Sequence, residues 1–453
     1  MELYRPLLLL FFAGILSGQS PGKSDSVAIR NEAKCRHESL IKEGYNLTYG
    51  WSLGGHGEKK TILLPLLVPE AKTEHQFSFW CETQEGEASV RLLNEDGKTL
   101  VTWSGRKGEM VISRRVPTGK YVLEIDSSKS MGGYAEFGVK GPLAQRCDLD
   151  QSRCHEFPAA PSKGFHWPYL LFVPKTVKCP TILVAPNNTG FAVENIDLFQ
   201  ANASCEIQCM SVLANRLGCP LLVPLFPRPV STIEEGNLYL HALSRASLVT
   251  QVESWKRVDL QLLGMIHDAQ IGLQAMGLKV ASKVILSGFS ASGSFVNRFT
   301  VLHPEHVLAV ACGSPGGWPM VPISELEGDR LGYPLGLADL QDLTGDSLKN
   351  DSLKQVRWFF FLGDQDTNDA VPYRDSFTKL DEDLINRRFG KTLVARWKQA
   401  ELLYSSSGMR ARFKLYPGVP HVVAPETQED IARFFEECLA GTFEAPLDSM
   451  KRD

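Results

Sequence analysis

The stretch Lys283-Val-Ile-Leu-Ser-Gly-Phe-Ser-Ala-Ser-Gly-Ser-Phe-Val-Asn-Arg298 constrains the fold more than any other part of the chain. An apolar strand runs into Gly288-Phe289-Ser290-Ala291-Ser292-Gly293, and apolar residues at helical spacing follow from Phe295 to Leu302. A strand that passes into a helix through so sharp a turn strains the apex residue and leaves room only for small neighbours two positions to either side. Here those neighbours are Gly288 and Ser292. The helix that follows points unpaired N–H groups at the turn, and its dipole favours negative charge there. A Walker A reading of the same glycines fails, because Ser294 stands where phosphate binding needs lysine.

The surrounding chain repeats the strand–helix theme. Short, strongly apolar runs at Tyr169–Val173, Thr181–Ala185, Leu221–Leu225, Lys283–Ser287, Leu308–Cys312, Val356–Leu362 and Arg412–Tyr416 read as strands covered on both faces. Helical segments fall between them, notably Val258–Met276 and Gln428–Leu439. This alternation predicts an α/β domain with a mostly parallel sheet and helices on both faces over residues 165–440. Residues 319–355, rich in Gly, Leu and Asp, interrupt it as a lid or a long loop. Residues 40–142 follow another pattern. Short alternating runs at Gln76–Trp80, Ala88–Leu93 and Tyr121–Ile125, with turns at Asn94–Gly97 and Pro117–Gly119, predict a small antiparallel β-sandwich domain. Residues 143–164, with Cys147, Cys154, Pro158 and Pro161, read as a linker.

With 453 residues, 43% of them hydrophobic, the chain is long enough for two or three domains and too apolar for wholesale disorder. A net charge of −4, from 48 basic and 52 acidic residues, offers no basic surplus for nucleic acid. The first 20 residues read as a signal peptide: Arg5, then an uncharged run from Leu7 to Leu16, then Ser17-Gly-Gln-Ser20. That run cannot cross a hydrocarbon core of about 30 Å at about 1.5 Å per residue, and no later segment is apolar enough to span. The expected location is therefore secreted or extracytoplasmic. Ten cysteines, Cys35, Cys81, Cys147, Cys154, Cys179, Cys205, Cys209, Cys219, Cys312 and Cys438, agree with export and favour disulfides. Cys147 with Cys154, and one pair among Cys205, Cys209 and Cys219, are the nearest candidates. Asn46, Asn187, Asn202 and Asn350 open glycosylation sequons.

The turn around Ser290 resembles the α/β-hydrolase superfamily, over residues 165–440. It departs from the common Gly-x-Ser-x-Gly at Ser292, which opens a second register with Ser292 as nucleophile. A hydroxyl is a weak nucleophile at neutral pH. It needs a base, and the base needs an orienting acid. The resemblance implies the chain order Ser, acid, His. Downstream histidines are His303, His306 and His421; the first two lie too close to the turn to fold back on it, and no third ligand makes them a metal site. His421 follows the last strand and the turn Pro417–Pro420. The family's Gly-x-x-Asp pattern selects Asp366 after Gly363, with Asp369 and Asp364 as alternatives. The resemblance further implies an oxyanion hole from the N–H of Ala291 and of a residue near Asn188 or Thr189; a glycan on Asn187 would crowd that loop.

Within the superfamily the layout is similar to secreted esterases of the polyhydroxyalkanoate-depolymerase, feruloyl-esterase and dienelactone-hydrolase kind. The implied activity is hydrolysis of a small-molecule or polymeric carboxylic ester by Ser290, His421 and Asp366, with no metal or organic cofactor. A serine peptidase of prolyl-oligopeptidase type and an inactive hydrolase-fold binding protein are the other readings. Loops 226–256 and 319–355 supply the pocket in this reading, with Trp255 and Trp318 as candidate lining residues.

Overall fold

The computed structural model describes residues 36, 47–52, 62–68, 74–94, 97–115, 119–140, 153–188, 196–228, 238–372 and 376–444. The chain forms two compact units, Met1–Asp148 and Leu149–Asp453. The expected signal peptide, Cys35, Asn46 and Cys147 lie outside the described residues.

The first unit is antiparallel. Its strands are β1 (Leu47–Ser52), β2 (Ile62–Val68), β3 (Glu74–Asn94), β4 (Thr99–Gly105), β5 (Lys107–Arg115) and β6 (Gly119–Lys140). In place of two separate sheets there is one six-stranded sheet, because β3 and β6 pair along nearly their whole length. The first half of β3 pairs with β5 and its second half with β4; β6 likewise carries β2 and β1 at opposite ends. The register shifts between Glu87 and Ser89. Phe79 of the first half meets Trp103 of β4, ring centroids 5.1 Å apart. The alternating runs at 76–80 and 88–93 are therefore one long strand. Residues between them pair with β6. At the expected turn site the Gly97 N–H donates to the Asn94 carbonyl at 2.9 Å. The Asn94 side chain accepts from the Lys98 N–H at 2.7 Å, and Gly97 takes φ +77°, a conformation open to glycine.

The second unit is built on eight strands: β7 (Cys154–Phe157), β8 (Tyr169–Phe172), β9 (Leu183–Val184), β10 (Leu221–Pro224), β11 (Val284–Phe289), β12 (Val307–Gly313), β15 (Arg357–Gly363) and β16 (Arg410–Tyr416). A two-residue hairpin, β13 (Glu325–Leu326) with β14 (Asp329–Arg330), stands apart from them. The order is β16-β15-β12-β11-β9-β10-β8-β7. From β16 to β10 every pair is parallel, and β8 and β7 close the edge in antiparallel fashion. The inner strands β8 to β11 are buried at every position, the signature of a sheet covered on both faces. The edge strands β7 and β16 are only partly buried, and β16 carries Arg410, Arg412 and Lys414, which discourage pairing with another chain. Helices including Ile196–Leu217, Val258–Ala275, Ala291–Leu302 and Leu393–Ser406 connect the strands, and the helix Pro425–Ala440 follows β16. This is an α/β architecture built on one mostly parallel sheet.

Three sequence expectations change here. Residues 154–157, read as linker, form β7: Cys154–Phe157 lacks the apolar run of the inner strands because it is an edge. Residues 319–355 are not a free loop. Met320, Val321, Leu331, Tyr333 and Leu335 are buried in the main core, and Val321 and Leu335 hydrogen-bond each other. Cys154 and Cys219 are free thiols, as are Cys81, Cys179, Cys312 and Cys438. The thiols in contact are Cys179 and Cys219, and hydrogen bonding from Cys219 draws Cys179 down to about 6.

Candidate active site

β11 delivers the turn. Ser290 follows Phe289 at φ 60° and ψ −125°, a strained backbone for any residue with a side chain. Two hydrogen bonds hold it there. The Ser290 N–H donates to the Gly313 carbonyl of β12, and the Ser294 N–H donates to the Ser290 carbonyl at the start of the helix Ala291–Leu302. A Cβ on Gly288 would sit 2.3 Å from the Ser292 carbonyl oxygen, and one on Gly293 would sit 2.3 Å from that of Gly313. The close approaches therefore fall at 288 and 293, which explains why position 292 tolerates serine. Ser292 is itself part of the turn: its Oγ donates to the Phe289 carbonyl at 2.9 Å and accepts from the Phe289 N–H at 3.0 Å. That locks its hydroxyl away from the site, against the register in which Ser292 attacks.

The three aspartates after β15 separate by partner. Asp364 accepts from the Gly418 N–H at 2.7 Å. Asp369 takes both oxygens to Nη1 of buried Arg396 at 2.7 Å. Asp366 accepts from Nδ1–H of His421 at 2.7 Å. Burial pushes the Asp366 carboxyl up, but His421, the Asn368 N–H and the Ser314 hydroxyl outweigh it and hold the group below its ordinary value. It is thus ionised at neutral pH. His421 arrives because the loops after β15 and β16 are stitched together. Asp364 N–H donates to the Tyr416 carbonyl, Gln365 N–H to that of Val419, and Gly363 leaves no room for a Cβ, which would lie 1.9 Å from the Val419 oxygen. The Phe289 ring packs on the imidazole at 4.6 Å.

Asn368 joins the two halves. Its Nδ2 donates to His421 Nε2 at 3.1 Å and reaches Ser290 Oγ at 3.5 Å, while its N–H donates to the second Asp366 oxygen at 2.8 Å. The structure thus brings Ser290, Asp366 and His421 to one place. Asn368 was missed in the sequence, where an Asn in an acidic turn carries no signal of its own.

At the helix N-terminus Ala291 packs against Tyr239 and Ala242. Asn188 lies beside the turn, its Nδ2 donating to the Phe289 carbonyl at 3.2 Å. Thr189 lies outside the described residues. Asn187 is fully buried and both ends of its amide are satisfied by Phe226, so in the folded chain it has no room for a glycan. His303 instead bonds Asp259 at 2.9 Å, away from Ser290, and His306 faces Glu305. Trp318 is core, stacked on Phe389 at 3.9 Å, and Trp255 packs against the same core. The pocket next to Asp366 and Asn368 is lined by Pro315, Pro319, Leu393 and Trp397.

Comparison with known proteins places this geometry among distant likenesses. No family profile matches the chain, and no curated protein does. Among solved structures, poly(aspartic acid) hydrolase-1 from Sphingomonas sp. KT-1 is 15% identical at a TM-score of 0.42, covering 62% of this chain and 97% of that one. A thermostable esterase is 15% identical at 0.36, covering 84% and 99%. S-formylglutathione hydrolase from Staphylococcus aureus is 14% identical at 0.32, covering 63% and 95%. At these distances the fold and the site rest on the chain's own topology and contacts.

Proposed function

We propose that the chain is a serine hydrolase that cleaves carboxylic esters through an acyl-enzyme on Ser290. The observation that carries this reading is the Asp366–His421 pair, delivered by two stitched loops to a strained serine at a helix N-terminus. Ser290 Oγ attacks the ester carbonyl carbon as its proton passes to His421 Nε2. The carbonyl oxygen takes the negative charge beside the N–H groups of Ala291 and Asn188, each donor contributing about 3–4 kcal/mol by precedent. Collapse breaks the bond to the alcohol, which leaves with the proton from His421. Water then repeats the sequence on the acyl-serine and releases the acid. Asp366 stays ionised throughout, orienting the ring and stabilising its charged form. Such chemistry needs no metal or organic cofactor. Secretion of this enzyme belongs to the same proposal and rests on the leader-like first 20 residues.

A fluorophosphonate probe tests the reading. Purified protein is expected to label at Ser290, with labelling lost in Ser290→Ala and kept in Ser292→Ala. A well-folded wild type that takes no label would favour the inactive binding-protein reading. Cleavage of peptide amides as readily as esters would favour a peptidase.

A further inference from the structure

Asn368 stands at the centre of the site without a place in the triad. Its amide nitrogen meets His421 Nε2 at 3.1 Å and Ser290 Oγ at 3.5 Å. Nε2 is the nitrogen that must accept the serine proton, so in this state the amide occupies the acceptor the reaction needs. The amide oxygen is buried and has no hydrogen-bond partner. A buried acceptor left without a donor is unfavourable, so rotation of this amide gives up little on its oxygen side. The residue also lines, with Asp366, the small pocket formed by Pro315, Pro319, Leu393 and Trp397.

We propose that Asn368 is a positioning residue that holds the resting His421 ring through Nε2 and yields that nitrogen to Ser290 when an ester enters. This rests on the serine-hydrolase reading above. The amide N–H donates to the Nε2 lone pair, which is the same lone pair that must take the serine proton, so the amide and Ser290 cannot both hold it. Asp366 bonds the ring at Nδ1 and the Phe289 ring packs on its face, while Asp364 accepts from the Gly418 N–H and Asp369 from Arg396.

The test is the steady-state hydrolysis of an ester, with fluorophosphonate labelling beside it, in wild type, Asn368→Ala, Asn368→Leu and Asn368→Gln, each checked for folding by circular dichroism. Loss of the amide that holds the resting ring lowers kcat about tenfold in Asn368→Ala and Asn368→Leu with KM little changed, and Asn368→Gln, which keeps an amide donor, recovers part of the loss. A residue that only fills space would be rescued by Asn368→Leu as well as by Asn368→Gln. Equal kcat in all four proteins, or rescue by Asn368→Leu, overturns the role of Asn368 alone. A well-folded wild type that takes no label overturns the hydrolase reading and this proposal with it.

Discussion

Asp366 and Asp369 are three residues apart, the first buried and the second half-buried, and held by different partners. Exchanging each for asparagine is expected to separate chemistry from stability. Asp366→Asn leaves the shape of the loop but removes the charge that orients His421 and stabilises its charged form. The turnover of an ester substrate is expected to fall about 10⁴-fold. Because the folded Asp366 carboxyl is held below its ordinary value, the stability it contributes is in place above about pH 4 and drains away as pH falls through its lowered value. Asp369→Asn instead strands the charge of Arg396, whose side chain is 1% exposed. Urea denaturation is expected to show a loss of about 3–5 kcal/mol, with labelling of the protein that remains folded kept near wild type. If Asp369→Asn abolished labelling in folded protein, the acid would be misassigned.

At the level of elements, the site depends on two strand ends being tied together. Gly363 closes β15 where a side chain would meet the Val419 carbonyl, and the aromatic cluster of Phe360, Phe413, Trp397 and Tyr404 holds β15, β16 and the helix Leu393–Ser406 in register beneath it. Each such ring pair adds about 0.5–1.5 kcal/mol beyond burial. Gly363→Ala is therefore expected to push the His421 loop away and reduce the rate of probe labelling at least about tenfold, since misplacements near 1 Å cost about 10²-fold. Gly272→Ala is the control: it lies in the helix Val258–Ala275 with nothing within 4 Å of an added Cβ. That exchange is expected to be neutral or to stabilise by about 0.5–1 kcal/mol. Equal labelling rates for the two variants would show that the stitched loops do not set the position of His421.

At the scale of the whole molecule, the boundary at Leu149 matters because β7 lies just beyond it. A chain starting at Leu149 is expected to fold and take the probe by itself, since the eight-stranded sheet and every candidate site residue lie within it. A chain starting at Phe165, where the alternating pattern begins, lacks β7 and bares the apolar edge of β8. It is expected to aggregate. Size-exclusion chromatography with labelling distinguishes these outcomes. Equal behaviour of both chains would mean that β7 is dispensable.

Sequence alone determined the inner strands and the turn at Ser290, while Asp366 and His421 were chosen by the resemblance, with Asp364 and Asp369 left open. The strands and the turn are written in local chemistry: apolar runs set by burial on both faces, and small residues forced by a sharp turn. Only tertiary structure decided what depends on distant partners. Asp364, Asp366 and Asp369 are equivalent in a turn until Gly418, His421 and Arg396 arrive from other elements. The same holds for the edge strand β7, whose composition marks no strand until β8 pairs with it, and for the unbroken course of β3 beside β6. Asn368 became visible only when β11 and the loops after β15 and β16 brought a serine and a histidine to the two sides of one amide.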